Sequence, residues 1–166
     1  MKKILLISIA CLTLFSCNQA QRKTIERDDE PDLEVVESDD KKMNEAIALA
    51  GKTLDQFDKA FKSGNKALSY FSIKMRFDTP KGGEHIWMSD IELKDGKYFG
   101  AVGNVPEQTN EIKLGDVMEI PKDKISDWMY TENGRLRGGY TIRAIRKRMG
   151  KEERMQFDKE MGMIID

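Results

Sequence analysis

Cysteine and histidine are nearly missing from this chain of 166 residues, which has two cysteines, Cys11 and Cys17, and one histidine, His85. A zinc site of the usual Cys/His composition cannot be assembled from that inventory. Phosphate-cradling GxxxxGK[ST] and GxGxxG loops are lacking, as is the GxSxG nucleophile elbow. No stretch alternates acids around a glycine in the manner of a calcium loop. These gaps argue against metal, nucleotide and cysteine-based chemistry, and no metal or cofactor is expected. Strong charge of one sign is also missing: the net charge is −1, without the basic footprint of a nucleic-acid binder. A long apolar run is missing too. The longest, Ile4–Phe15, has 12 residues, whereas a bilayer span needs ~20.

That short run has a different meaning. Lys2 and Lys3 precede it and Leu14-Phe15-Ser16-Cys17 follows it, the order of a bacterial lipoprotein signal. The expectation is a signal peptide over residues 1–16 and acylation of Cys17, which becomes the new N-terminus. The protein would then be exported and held at a membrane of the cell envelope by its lipid. An ordinary secretory signal cut near Ala20 is the alternative, but Asn18 is not the small residue expected at −3. Either way the exported part has no disulfide and must rest on an apolar core.

Residues 17–40 form an acidic stretch with nine acids between Glu26 and Asp40. Such a composition buries too little surface to offset ordering entropy, and reads as a flexible tether. A sorting signal read by transport machinery is the alternative.

Residues 41–166 read as a single α+β domain. Met43, Ala46, Ile47, Ala50, Leu54, Phe57 and Phe61 recur at steps of three and four, one stripe of an amphipathic helix. The period then changes to two. Phe71, Ile73, Met75 and Phe77 alternate with polar residues, and further strands are expected over residues 84–93, 98–102, 116–120 and 124–130. Asp95-Gly96 and Asn133-Gly134 are hairpin signals. After Gly138-Gly139 the pattern turns helical, with Thr141 able to cap and a last helix over residues 151–161. The expected fold is an N-terminal amphipathic helix, a small antiparallel sheet of about five strands and C-terminal helices.

Two features carry chemical possibilities. On an extended strand His85 and Trp87 share a face with Ser89, Ile91 and Leu93. Asp127, beside Trp128, supplies an acid that could orient the ring. Such a pair is either a bond tying two strands or a general base with its orienting carboxylate, and no nucleophile is identifiable beside it. The second feature is basic: Arg135, Arg137, Arg143, Arg146, Lys147, Arg148 and Lys151 occur with no acid between them. They could grip an anion near the helix N-terminus that follows Gly139, or form a solvated helix face balanced by Glu152 and Glu153.

Several short motifs occur in a fixed order. They are Phe77-Asp78, Gly82-Gly83-Glu84-His85-Ile86-Trp87, Asn104-Val105-Pro106, Lys113-Leu114-Gly115-Asp116, Asp127-Trp128-Met129-Tyr130 and Gly138-Gly139-Tyr140-Thr141-Ile142-Arg143. Over residues ~43–162 this set resembles the bacterial domain-of-unknown-function 2314 family, the YegJ-like proteins. The resemblance implies a small α+β domain and no particular activity. Its motif positions are Glu84, His85, Trp87, Asp116, Asp127, Trp128, Gly139, Thr141 and Arg143. Asn104-Val105-Pro106 stands where the family has Asn-Glu-Pro, so no role for an acid carries over there.

The functional expectation is a non-catalytic, lipid-anchored module binding an envelope protein or a small anionic ligand, an immunity-type role included. The candidate ligand-binding residues are Glu84, His85, Trp87, Asp127, Trp128, Gly139, Thr141 and Arg143. The alternative is a metal-independent hydrolase or transferase, with His85 as general base, Asp127 orienting it and Arg143 as anion clamp. A spacer acting through its lipid alone is the third expectation.

Overall fold

The computed structural model describes residues 40–80 and 82–166, together with the backbone of two short strands before them. The expected signal peptide 1–16 and Cys17 lie outside the described residues, as does most of the acidic stretch. Within that stretch β1 (Thr24–Ile25) and β2 (Leu33–Glu34) pair antiparallel.

Asp40 begins the first helix, its carboxylate accepting from the Met43 amide at 3.0 Å. Two helices follow, α1 (Lys41–Lys52) and α2 (Leu54–Lys62). The apolar stripe is continuous in sequence, but the helix breaks at Thr53, where φ is −112° and ψ is 10°. The Thr53 hydroxyl donates back to the Leu49 carbonyl at 2.8 Å, a bond that competes with regular helix geometry.

Six strands, not about five, form the main sheet. They are β3 (Leu68–Phe77), β4 (Glu84–Lys94), β5 (Lys97–Val102), β6 (Val117–Ile120), β7 (Ile125–Glu132) and β8 (Arg135–Gly138). Their antiparallel order is β6-β5-β4-β3-β7-β8. The unexpected strand is β8. Arg-Leu-Arg-Gly has one apolar residue, too short a pattern for alternation to show. Two helices close the chain, α3 (Tyr140–Arg146) and α4 (Lys151–Met161).

The sheet is covered on both faces. One core gathers Ile73, Met75, Ile86, Met88 and Tyr98 of the sheet around Ala50 and Phe57. Phe57 is fully buried, and the rings of Phe61, Phe71, Tyr98 and Trp128 all lie within 6 Å of it, centroid to centroid. Two polar bonds fix the helices to this core: Trp128 Nε1 donates to the Ala50 carbonyl at 2.9 Å, and the Tyr98 hydroxyl meets Asp58. The second core gathers Leu136, Ile142 and Ile165, with Trp87, Met129 and Phe157 packed against it.

Between β8 and α3 the backbone turns sharply through two left-handed glycines, Gly138 (φ 67°) and Gly139 (φ 61°). A Cβ on Gly138 would stand 2.3 Å from the Trp128 carbonyl oxygen. Only glycine tolerates both the left-handed angle and that approach. The turn delivers the start of α3 onto β7.

Candidate functional site

The N-terminus of α3 has amide donors without an intrahelical partner and no N-cap side chain to satisfy them, because its N-cap is Gly139. Asp127, on β7, supplies the missing acceptor. One carboxylate oxygen accepts from the amides of Trp128 (2.8 Å) and Tyr140 (3.2 Å). The other accepts from the Thr141 amide (2.8 Å) and hydroxyl (2.6 Å). Asp127 is fully buried. Burial pushes its carboxyl up from the ordinary value, while the Thr141 and Trp128 donors and Lys74 pull the other way. With four donors converging, the site is built for the anion.

The strand register places Lys74 between Trp87 on β4 and Asp127 on β7. Its ammonium donates to the Thr141 hydroxyl at 3.3 Å and sits 5.2 Å from the centroid of the Trp87 ring. Thr141 thus links Lys74 to Asp127 through one oxygen, accepting from the first and donating to the second. Desolvation lowers the Lys74 pKa, partly offset by the Asp127 charge. Lys74 was not among the expected site residues. Its polar side of the alternating strand is legible in the sequence, but its position opposite Asp127 depends on a pairing that local pattern does not specify.

His85 is one row further along, opposite Arg76. The strand tie expected between His85 and Asp127 does not form: β3 lies between their strands, and all four hydrogen bonds to Asp127 come from elsewhere. The imidazole is half-buried, and no described residue forms a hydrogen bond to it. Desolvation first, then the charges of Lys74 and Arg76, lower its pKa from 6.5 to about 4. At neutral pH the ring is neutral, and a base that weak is poorly matched to proton abstraction.

Glu84 serves a different segment. Buried at the start of β4, its carboxylate accepts from the amides of Glu107 (2.6 Å) and Gln108 (3.0 Å). The loop 103–116 is held nearby by the Trp87 amide donating to Asn104 Oδ1 at 3.1 Å. Asp116 closes the loop's end by accepting from the Lys113 amide at 2.8 Å.

Arg143 bonds neither Asp127 nor Glu84. Its guanidinium donates to three main-chain oxygens, those of Gly138 (2.9 Å), Leu136 (2.8 Å) and Asp166 (2.8 Å). The basic run around it is largely paired. Arg135 meets Asp166, Arg137 meets Glu132, Arg148 meets Asp40, and Arg146 grips Asp158 with two bonds at 2.6 and 2.7 Å. The charges form intramolecular ties rather than an open anion cradle.

The expected residues therefore separate into groups. Asp127, Gly139 and Thr141 meet with Lys74 and Trp87 where β7 joins α3. Trp128 points into the opposite core, Arg143 clamps β8 to residue 166, and Glu84 anchors a loop. Among the described residues no group of three or more His, Cys, Asp or Glu side chains stands ready to hold a metal ion.

Comparison with known proteins agrees with the ordered motifs. The profile of a family described as "Uncharacterized protein conserved in bacteria (DUF2314)" matches residues 40–164. The uncharacterized protein YegJ of Escherichia coli (strain K12) is 32% identical over 115 residues, 69% of this chain and 74% of its own. A Neisseria meningitidis serogroup B protein, named as a candidate ankyrin repeat protein, is 35% identical over 137 residues. That match spans 77% of this chain but only 54% of the relative. No solved structure matches.

Two outcomes follow from the Asp127 network and the neutral imidazole. Asp127→Asn should cost about 3–5 kcal/mol in urea unfolding, because it leaves the Lys74 charge without its counter-ion. Adding Lys74→Met to that chain should restore part of the loss; a purely additive result contradicts the coupling. His85, as the lone histidine, gives one resolvable imidazole signal, and its NMR titration midpoint should lie near 4 rather than 6.5. The unfolded chain binds that proton more readily than the folded one. The stability His85 contributes by staying neutral is therefore complete above pH 6.5 and is lost as pH falls toward 4.

Proposed function

We propose, from the premise that this chain belongs to the bacterial DUF2314 family, that it is a lipid-anchored envelope protein whose domain binds another protein without catalysing a reaction. The observation that carries the reading is how the motif residues are used. Glu84 and Arg143 spend their hydrogen bonds on the main chain of their own fold, and Asp127 spends three of its four there and the fourth on the Thr141 hydroxyl. Polar groups consumed in this way preorganise a surface and are not at hand for a reacting atom.

Pairing of the basic run favours a protein partner over a small anion, since four of its arginines already have carboxylates. His85 supports the hydrolase alternative only weakly: its ring is not engaged by a described residue, but it has no nucleophile partner and a low basicity. Membrane attachment rests on the Leu14-Phe15-Ser16-Cys17 sequence. Acyl chains on Cys17 would hold the domain at the envelope, and an immunity-type role is one form of partner binding that such placement suits.

The test has two arms. Cys17→Ser should move the protein out of the membrane fraction and abolish labelling by a fatty-acid analogue; unchanged partition and labelling contradict the anchor. Residues 17–166 used as bait on envelope extract should retain a partner in stoichiometric amount, equally well with His85→Gln. Turnover lost in that variant, with no partner retained, would reverse the reading.

A further inference from the structure

The two edges of the main sheet are treated differently. Along β8 the chain covers its own edge: the Leu136 amide donates to the Ile164 carbonyl and the Ile164 amide to the Gly134 carbonyl, both at 2.9 Å. Arg135 and Arg143 fasten Asp166 beyond that pairing. Along β6 nothing comparable occurs among the described residues. Among the described residues β6 pairs with β5 alone, leaving the outer row of its amides and carbonyls for an incoming strand.

Beside that open edge the surface is apolar. Val117, the first residue of β6, is 71% exposed, and Leu114, three positions earlier, is 55% exposed. Leu114 also lines a shallow depression in the loop 103–116 with Val105, Pro106 and Ile112. Exposed branched side chains on an open edge are what soluble proteins normally avoid. The loop that presents them is fixed from beneath by the Glu84 carboxylate and by Asn104, so the surface is preorganised.

Charge limits what can dock there. Glu107, Glu111 and Asp116 are exposed along the loop, against Lys113 as its one base. On β6 itself Glu119 is held by Lys97 at 2.9 Å, which keeps a free carboxylate off the strand. A second copy of the chain, docking through the same edge, would set one acidic loop against another. A partner segment that is apolar on one side and basic on the other meets no such repulsion.

We propose that β6 and the loop 103–116 are the docking surface for an extended, apolar-and-basic segment of a partner protein, which joins the sheet as a seventh strand. Main-chain bonds to β6 supply register, the depression beside Leu114 takes one apolar side chain, and the loop acids select basic flanks. This inference rests on the binding-module reading and adds its location and the partner's chemistry.

The test uses the intact exported chain, residues 17–166, and a synthetic ten-residue peptide alternating valine and lysine, with a valine–glutamate peptide as comparison. The valine–lysine peptide should bind saturably and shift the backbone amide NMR signals of residues 117–120 and 105–114. Val117→Lys and Leu114→Lys, both at exposed positions, should weaken it about tenfold or more with the remaining spectrum intact. Absence of saturable binding overturns the inference, as do equal affinity for the valine–glutamate peptide, shifts mapping elsewhere and concentration-dependent self-association through β6. If the peptide fails while the envelope bait still retains a partner in both lysine variants, only this surface is wrong. If no partner is retained either, the binding reading fails with it.

Discussion

A buried carboxylate organises this fold. Asp127 is the point where strand, helix and buried lysine meet: it caps α3, whose own N-cap is a glycine, and offsets the charge of Lys74 on the neighbouring strand. An ion in that position is tolerated only if every lone pair is used. That condition accounts for the surroundings. Gly138 and Gly139 have the left-handed angles that bring the Tyr140 and Thr141 amides onto Asp127, and Thr141 contributes the hydroxyl that relays to Lys74.

The same economy extends outward from the carboxylate. Glu84 does for the loop 103–116 what Asp127 does for α3, gathering two backbone amides from a segment distant in sequence. Arg143 is the converse case, a donor gathering three main-chain oxygens, and it ties β8 to residue 166. Polar residues spaced along the chain thus share a task, fastening irregular segments that the two apolar cores do not hold by themselves. His85 is the exception. It joins none of these networks, and its neutral ring reflects desolvation and two cationic neighbours rather than a designed proton path.

Much of this was legible in the sequence. The alternation of Phe71, Ile73, Met75 and Phe77 marks β3, and Asp95-Gly96 marks the hairpin between β4 and β5, because both signals are local. The ordered motifs pointed to the family. What could not be read was pairing at a distance. β8 has a single apolar residue, so its existence depends on β7 and on the tail that covers it. Likewise, His85 and Asp127 looked like partners by type, yet β3 lies between their strands. The true partner of Asp127 is the start of α3, a contact set by two glycines whose angles leave no periodic trace. The break at Thr53 was hidden for the opposite reason: the apolar stripe runs through it unchanged.

The central claim is that Glu84, Asp127 and Arg143 are spent chiefly on the protein's own main chain, and Arg143 gives it the most direct test. Equilibrium unfolding and amide exchange of the Arg143→Met chain would show whether that guanidinium is committed. The account predicts a loss of about 2 kcal/mol or more, with faster exchange at the Leu136 and Ile164 amides as residue 166 is released. Unchanged stability and unchanged exchange at those amides would mean that Arg143 is not tied into the fold, and would contradict the account.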